Sequence, residues 1–375
     1  MIQIIDKTNC CGCSACEQVC PKHCISMTQD AEGFLYPVVN TEWCIDCGLC
    51  EKVCPMYRKV ESREPKAVYA AKSSDENIRL ASSSGGIFTL MAEAVLERGG
   101  VVYGARFDDV WNVIHDYTET KEGLSLFRGS KYVQSKIGDC YRTCLSFLKQ
   151  GRLVLFSGTS CQIAGLKSFL RKEFTNLLTV DVVCHGVPSP AVWKLYLKHF
   201  AQDSKSISHI SFRNKETGWK AYSNVLSVLN KNIVHESYTE NKFMKLFLSN
   251  TILRPSCYGC KFKAGKSGSD VTLADFWGID KIDPAFDDDK GVSAVLIYND
   301  KASGWLTLSD TKAFTYQDVL KGNYSLAYSV AQPVNRTYFF RMMSKGYDFD
   351  NLYTKCFDTS IYRRMRRLIF RKFGI

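Results

Sequence analysis

Cysteine spacing constrains this chain more than any other feature of its 375 residues. Ten of its 17 cysteines lie between Cys10 and Cys54. Eight of those ten repeat one pattern, Cys-x2-Cys-x2-Cys-x3-Cys-Pro, which starts at Cys10 and again at Cys44. A long chain without an export signal is expected to use such thiols as metal ligands or redox groups rather than as disulfides.

The pattern resembles the bacterial two-cluster ferredoxin motif. In that motif three closely spaced cysteines bind one [4Fe–4S] cluster, and the fourth, before proline, binds the other. The rule assigns to one cluster Cys10, Cys13, Cys16 and Cys54. It assigns to a second cluster Cys20, Cys44, Cys47 and Cys50. Zinc knuckles are the alternative, but zinc sites use two separated ligand pairs rather than runs of four. Cys11 and Cys24 are left over, and we expect them to be buried packing thiols.

Alternating strand and helix signals predict an α/β body with a mixed sheet, behind the small two-cluster ferredoxin domain. Apolar runs predict strands at 67–71, 101–107, 153–156 and 177–183. Helical stretches fall at 87–98, 140–149, 162–171 and 190–200. Strand patterns between 206 and 238 are the reason to expect a mixed sheet. We therefore divide the chain into a ferredoxin domain at 1–57, a polar linker at 58–66, a body at 67–330 and a C-terminal extension at 331–375.

Four later cysteines are placed to form a third metal site. Cys161 follows a strand-to-helix turn and Cys184 ends the next strand, and the carboxyl ends of neighbouring parallel strands converge. A Cys-x2-Cys loop then supplies Cys257 and Cys260, and Lys261 and Lys263 beside it would partly offset the thiolate charge. The competing pair is Cys140 and Cys144, which share one helix face and which we expect in the core. Cys356 is expected to be inert.

Two segments have the chemistry of a flavin site. A Ser-Ser-Gly-Gly turn before an apolar helix can cradle a pyrophosphate through backbone N–H groups. A second loop offers a cation, hydroxyls and an aromatic ring, although a solvated loop has the same composition. The candidate residues are Ser83, Ser84, Gly85, Gly86, Ser130, Lys131, Tyr132, Gln134 and Ser135. His185, beside Cys184, is either a turn cap or a proton donor at the cofactor.

Taken together, these segments resemble the coenzyme F420 hydrogenase/dehydrogenase beta-subunit family. The matching stretches are 83–89, 129–135, 158–167, 183–190, 211–215, 218–219, 257–260 and 270–278. The resemblance implies an iron–sulfur flavoprotein oxidoreductase with FAD in the body and a third [4Fe–4S] cluster on body cysteines. It also implies hydride exchange with coenzyme F420 or a similar small acceptor. Two alternatives stay open: an electron-transfer subunit of a larger redox complex, and a non-catalytic iron–sulfur scaffold.

Charge and hydropathy indicate which partners the protein binds and where in the cell it lies. Of the formal net charge of +11, six positive residues lie in the tail at 363–372, interleaved with apolar residues. We expect this tail to pack as a terminal helix, with a partner protein or an anionic membrane surface as the alternative. No nucleic-acid-binding module accompanies the charge, whereas a positive body suits an anionic substrate. Without a signal peptide or a long apolar run, we expect a cytoplasmic protein.

Cofactor content tests the cysteine assignment. Twelve assigned cysteines predict three clusters, so protein prepared without oxygen should contain about 12 Fe per chain, at four per cluster. One flavin should be released on denaturation. Saturation at about 8 Fe, with no flavin released, would remove both the third cluster and the flavin.

Overall fold

The computed structural model of the chain describes residues 1–305 and 310–357. Its strands are β1 (Ile25–Gln29), β2 (Leu35–Val39), β3 (Ala67–Lys72), β4 (Val101–Phe107), β5 (Val113–Thr118), β6 (Val154–Thr159), β7 (Leu177–Val182), β8 (Ile207–Asn214), β9 (Ser223–Val228), β10 (Lys231–Ser237), β11 (Val271–Asp275), β12 (Ser293–Ile297) and β13 (Asp310–Ala313). Its α-helices are α1 (Ala15–Val19), α2 (Leu49–Lys52), α3 (Glu76–Ala81), α4 (Ile87–Leu96), α5 (Cys140–Lys149), α6 (Ser160–Leu170), α7 (Pro190–Phe200), α8 (Lys242–Leu248), α9 (Ile279–Ile282), α10 (Asp300–Trp305), α11 (Tyr316–Gly322), α12 (Arg336–Ser344) and α13 (Phe349–Phe357).

The two cysteine runs fold alike. Each carries a short helix that starts after a residue in the left-handed backbone region, Ser14 (φ 60°) before α1 and Gly48 (φ 68°) before α2. Strands β1 and β2 form an antiparallel pair between them. The duplicated motif of the sequence is therefore a duplicated local structure.

A mixed eight-stranded sheet forms the body, in the order β13-β3-β12-β11-β7-β6-β4-β5. Strands β11, β7, β6 and β4 are parallel to their neighbours in that group, and the flanking pairs are antiparallel. The prediction of a mixed sheet is confirmed, but the strands on which it relied are not part of this sheet. Strands β8, β9 and β10, in the 206–238 stretch, form a separate three-stranded antiparallel sheet. The alternation of apolar and polar residues at 206–238 therefore belongs to this separate, partly exposed sheet.

Helix boundaries follow local capping. Helix α5 and helix α7 have the predicted bounds, and the Ser189 side chain caps α7 through the N–H groups of Ala191 and Val192. Helix α6 starts at Ser160, two residues before the predicted start, because Thr159 and Gln162 form a capping box. The first turn of α6 therefore includes Cys161.

The ferredoxin part is packed into the body. A buried cluster joins residues of both, including Cys13, Ala15, Tyr141, Ile163 and Leu166. An ion pair between Glu32 and Arg336 adds a link from the ferredoxin part to α12. The C-terminal helices α12 and α13 also contribute to a shared aromatic core. The domain boundaries remain predictions.

Two expectations concern membranes and the tail. Among residues 1–305 and 310–357, no helix has the length and apolar character needed to cross a membrane. The basic segment at 363–372 lies outside the described residues.

Gly165 permits the ferredoxin part to pack against α6. A Cβ at this position would lie 2.8 Å from the Cβ of Cys13 and 2.9 Å from the hydroxyl of Tyr141. We expect Gly165→Ala to lower the free energy of unfolding by about 1–3 kcal/mol through overpacking. Gly304→Ala is the matched control, because apart from this glycine's chain neighbours and its own helix no described atom lies within 4 Å of the added Cβ.

The control should raise stability by up to about 1 kcal/mol through helix propensity. Chemical denaturation measures both variants. If Gly165→Ala is as stable as Gly304→Ala, the two parts are not tightly packed at α6.

Candidate functional site

The first three cysteines of the first run meet the last cysteine of the second. We call this group the inner site: Cys10, Cys13, Cys16 and Cys54. All four are at most 9% exposed. Burial, together with the charges of Cys10 and Cys54, raises the pKa of Cys16 well above its ordinary value. Four neighbouring thiols are the donor set of a metal cluster, and they would lose their protons on binding it, because cysteine binds metal as the thiolate.

The first three cysteines of the second run and the fourth cysteine of the first line a small cavity near the N-terminus. We call this group the outer site: Cys20, Cys44, Cys47 and Cys50. Cys47 is exposed and Cys44 is half-buried, so the outer site reaches the protein surface. The backbone N–H of Ile2 donates to Cys50 Sγ at 3.4 Å. The structure thus brings the cysteines together in the crossed pairing that the motif predicts, and their role as ligands stays a prediction.

Two cysteines of the body lie at the carboxyl ends of neighbouring strands. Strands β6 and β7 are parallel, with Thr159 opposite Val182. Cys161 lies in the first turn of α6, directly after β6, and Cys184 lies two residues after β7. The sheet therefore holds these two thiols on the same edge, as the strand-helix pattern predicts.

The Cys-x2-Cys turn reaches the same edge from a distant part of the chain. Pro188 and Leu253 form an antiparallel bridge that brings the turn to the Cys184 loop. There the backbone N–H of Val187 donates to Cys257 Sγ at 3.5 Å. Burial, then the charges of its three cysteine neighbours, raises the pKa of Cys257. We call this group the body site: Cys161, Cys184, Cys257 and Cys260.

The thiols at these three sites are not arranged for a single ion. Among residues 1–305 and 310–357, no three His, Cys, Asp or Glu side chains gather closely enough to hold one metal ion. A [4Fe–4S] cluster takes one thiolate on each iron, so its ligands surround it rather than converge on a point. Sets of four thiols are the donors that such a cluster requires.

The two lysines of the Cys-x2-Cys segment face different sites. The Lys263 ammonium donates to the carbonyl oxygen of Cys184, in the body site, and to that of Ser325 at 2.7 Å. The Lys261 ammonium instead donates to the carbonyl of Met56 at 3.0 Å, close to the inner site. Each site therefore has one of the two cations, whereas the sequence suggested both for the body site.

The two left-over thiols of the ferredoxin part are buried, and each contacts predicted ligands. Cys11 contacts the thiols of Cys13 and Cys161, so it lies between the inner site and the body site. Cys24 Sγ lies 3.4 Å from Cys20 Sγ at the outer site. These contacts could not be read from spacing.

The remaining cysteines are in apolar surroundings. Cys140 and Cys144 belong to the core around α5, and burial raises the pKa of Cys140 to about 12. Cys356 is buried in α13, and burial raises its pKa to about 11. Their positions favour packing over metal binding.

A cavity of about 610 Å³ opens at the carboxyl edge of the parallel strands. Its wall includes Thr159 at the end of β6, Cys184 of the body site and Asp275 at the end of β11. Cofactor and small-molecule sites have volumes of about 300–1,000 Å³. Open α/β sheets bind ligands at this edge. The cavity therefore has the size and the position of a cofactor site beside the body site.

Most of the candidate flavin residues line this cavity: Ser83, Ser84, Gly86, Ser130, Lys131, Tyr132 and Ser135. Their two segments are joined, because Ser83 Oγ accepts the backbone N–H of Ser130 at 2.7 Å. Residues of the first turn of α4 form part of the wall, which suits an anionic group. Burial lowers the pKa of Lys131 to about 7, and its ammonium donates to the carbonyl of Arg128 at 2.9 Å.

Two candidate flavin residues lie elsewhere. Gly85 packs on the sheet, where its N–H donates to the Ser293 hydroxyl at 3.0 Å. Gln134 donates to the carbonyl of Cys11 at 3.1 Å and accepts from Arg254 at 3.0 Å. Gln134 thus joins the ferredoxin part to the body.

His115 in β5 was missed from the sequence, because a single histidine in a strand gives no signal. It lines the cavity and is 6% exposed. Burial lowers its pKa to about 4, so it is neutral at pH 7. Its Nε2 lies 3.1 Å from the carbonyl oxygen of Ser157, which only accepts. Nε2 therefore carries the hydrogen, and Nδ1 accepts from the Ser135 hydroxyl at 2.9 Å.

A hydrogen-bond chain continues from Ser135 to the body site. Gln162 Nε2 donates to Ser135 Oγ at 2.8 Å, and Gln162 Oε1 accepts the backbone N–H of Thr159 at 2.9 Å. The Thr159 hydroxyl lies 3.2 Å from Cys161 Sγ. The cavity wall and a body-site thiol are therefore fixed by one network.

The other predicted site residue of the cavity is His185. Its Nε2 lies 2.6 Å from the amide oxygen of Asn250, and burial lowers its pKa. Another part of the cavity wall holds an ion pair: the buried Arg213 of β8 pairs with Asp275, at the end of β11, at 3.1 Å. The Arg213 guanidinium lies over the ring of Tyr222, 4.1 Å from its centroid. The cavity thus combines aromatic rings, a neutral histidine and a fixed ion pair.

Family models match both parts of the chain. Residues 151–319 match the model that describes the C-terminal part of the beta subunit in coenzyme F420 hydrogenase/dehydrogenase. Residues 9–57 match a 4Fe-4S dicluster domain, and residues 40–97 match a second model of that description. The first match contains the body site, and the second contains the inner and outer sites. A comparison with curated proteins gives no match.

One solved structure with a similar chain is the xenon-derivatised F420-reducing [NiFe] hydrogenase complex from Methanosarcina barkeri. The similar chain is 16% identical in sequence and has a TM-score of 0.45. The likeness covers 82% of this chain and 94% of that chain.

The pKa of His115 predicts an effect of pH on stability. Between pH 6.5 and 4 the unfolded chain binds more protons at this residue than the folded chain, so stability falls as the pH falls through this window. We expect the wild type to lose about 1.4 kcal/mol per pH unit more than His115→Gln within the window. Denaturation midpoints at pH 7 and pH 5 measure this difference.

The exposed His209, which has no ion pair among the described residues, supplies the control, and His209→Gln should behave as the wild type. Equal pH dependence of the wild type and His115→Gln would show that His115 is not held neutral by burial.

Proposed function

We propose that this chain is an iron–sulfur flavoprotein oxidoreductase of the coenzyme F420 hydrogenase/dehydrogenase beta-subunit type. Its residues 151–319 match the C-terminal model of that subunit, and its residues 9–57 match a 4Fe-4S dicluster domain. The proposed reaction passes electrons between a redox partner at the surface and a small hydride acceptor, coenzyme F420 or a similar compound, at the cavity.

The observation that carries the proposal is the order of the thiol sites. The outer site reaches the surface at Cys47. The inner site is buried against α6, and Cys11 contacts both its Cys13 and Cys161 of the body site. Cys184 of the body site lines the cavity. The twelve thiols thus extend from the surface to the cavity, which is the arrangement that stepwise electron transfer needs.

The cysteines would hold three [4Fe–4S] clusters, each of which exchanges single electrons. A flavin in the cavity would convert single electrons into hydride chemistry. The chain's own residues have simpler roles. The Ser83 and Ser130 segments, joined by hydrogen bonds, and the first turn of α4 bind the polar parts of the flavin. Lys131 contributes an amino group whose pKa burial lowers to about 7, and His185 holds a proton at Nε2 beside Cys184.

Exposed apolar side chains around the outer site support a protein partner there. Trp43 is 64% exposed and Ile45 is 59% exposed, on either side of Cys44. Large exposed apolar residues beside a redox site are typical of docking surfaces. The electron-transfer subunit without a substrate is the second candidate, and it would need only this surface. The cavity with its histidines and ion pair favours the oxidoreductase.

Cysteine replacement tests whether electrons enter through the ferredoxin part. We expect reduced viologen to reduce the bound flavin through the ferredoxin part, because the outer site is the exposed one. Cys47→Ser and Cys13→Ser should each slow flavin reduction at least tenfold, measured by flavin absorbance in a stopped-flow experiment without oxygen. Cys356→Ser, which changes a buried cysteine of α13 outside the three sites, should match the wild type.

Two results would contradict different parts of the proposal, the route of electron entry and the presence of a flavin. Flavin reduction at the wild-type rate in both variants would mean that the ferredoxin part is not the entry. Absence of flavin from protein that holds its iron would leave the electron-transfer subunit as the better account.

A further inference from the structure

Arg254 is buried between the inner site and the body and is fully inaccessible to solvent. Its Nε donates to the carbonyl of Cys10 at 2.8 Å, and its Nη2 lies 3.5 Å from Cys10 Sγ. Its Nη2 also donates to the carbonyl of Leu35 at 2.9 Å, and its Nη1 to Gln134 Oε1 at 3.0 Å. The guanidinium is therefore held at four points, two of them on an inner-site cysteine.

No carboxylate of the described residues lies within 4 Å of this guanidinium. The other buried arginines differ, because Arg79, Arg213 and Arg336 each pair with an aspartate or glutamate. Neutral partners and the Tyr36 ring, 4.3 Å from the guanidinium carbon, do not supply a negative charge. A buried charge without a counter-ion is strongly unfavourable. Arg254 therefore requires a negatively charged neighbour.

The inner site is that neighbour, because Arg254 is hydrogen-bonded to Cys10 and the four inner cysteines become thiolates when they bind metal. Packing keeps the cation in place. A Cβ on Gly12, which has φ 72°, would lie 2.8 Å from Arg254 Nη1 and 2.8 Å from Gln134 Nε2. Only a glycine at this point of the cysteine loop leaves room for the guanidinium.

We propose that Arg254 is the counter-cation of the inner site and raises the reduction potential of the cluster held there. This inference rests on the proposed function, since it assumes a [4Fe–4S] cluster at the inner site. Reduction adds one negative charge, which a fixed buried cation stabilises. Net charge, hydrogen bonds to cysteine sulfur and solvent exposure set cluster potentials, and Arg254 acts through the first two.

The outer site has no buried cation among the described residues. The nearby ammonium of Met1 is paired with Asp46 at 2.8 Å, Lys22 in the wall of the same cavity is exposed, and Cys47 is exposed to water. The inner cluster is thus expected to accept an electron before the outer one. Arg254 is a positioning residue in this role: it touches a ligand and sets the order in which the two sites are filled.

Redox titration of the holoprotein, followed by electron paramagnetic resonance, tests the inference. The inner signal is assigned by its loss in Cys13→Ser. We expect Arg254→Gln to lower the reduction equilibrium constant of the inner cluster at least tenfold, which is about 59 mV for one electron. The outer signal should not move. Arg254→Lys, which keeps the charge, should restore most of the shift.

Two more variants separate a loss of charge from a defect in folding. Gln134→Glu places a carboxylate beside the guanidinium and keeps the arginine, so it should also lower the inner potential. Arg79→Gln removes a buried arginine that has its own aspartate, and it should leave both cluster potentials unchanged.

The outcomes distinguish this inference from the proposed function. If Arg254→Gln and Gln134→Glu retain iron and the inner potential stays at the wild-type value, Arg254 is not the counter-cation, and the proposed function is unaffected. If the wild type holds no cluster at the inner site, the proposed function itself fails. If Arg254→Gln loses iron, the potential of Gln134→Glu decides the question.

Discussion

The contact between the first cysteine loop and the body determines the rest of this structure. Gly165 in α6 lets Cys13 approach the helix, and Gly12 leaves room for the Arg254 guanidinium against the same loop. These close approaches bury the inner site and place it beside the body site. If the loop packed elsewhere, the outer and inner sites would form an independent electron carrier, with no connection to the cavity.

In the body, the pairing of strands brings the cysteines of the body site together. The parallel pairing of β6 and β7 puts Cys161 and Cys184 on one edge, and the antiparallel bridge at Pro188 and Leu253 brings the second half of the body to it. The cavity opens at the same edge. A single hydrogen-bond network runs from His115 in the cavity wall to Thr159 beside Cys161, so the same contacts position the cavity wall and the body site.

Local signals in the sequence predicted the cysteine groups and the helices α5 and α7, because spacing and capping are local properties. The mixed sheet was predicted too, but from strands that form a separate sheet. Contacts between distant segments could not be predicted. Gln134 resembled a flavin contact by composition, and only the fold shows that it bonds to Cys11 and Arg254. His115 and Arg254 carry no signal of their own, since a buried histidine and a buried arginine are identified by what surrounds them. The sequence places Gly12 in the first cysteine loop, and only the fold shows that the Arg254 guanidinium occupies the space beside it.

The central claim is that three iron–sulfur sites lie in one chain of thiols between the surface and the cavity. Anomalous diffraction at the iron absorption edge, from crystals grown without oxygen, measures this directly. The account predicts three iron clusters, at the outer, inner and body sites, with the inner one between the other two. An empty body site, or a zinc edge in place of iron at any of the three, would contradict it.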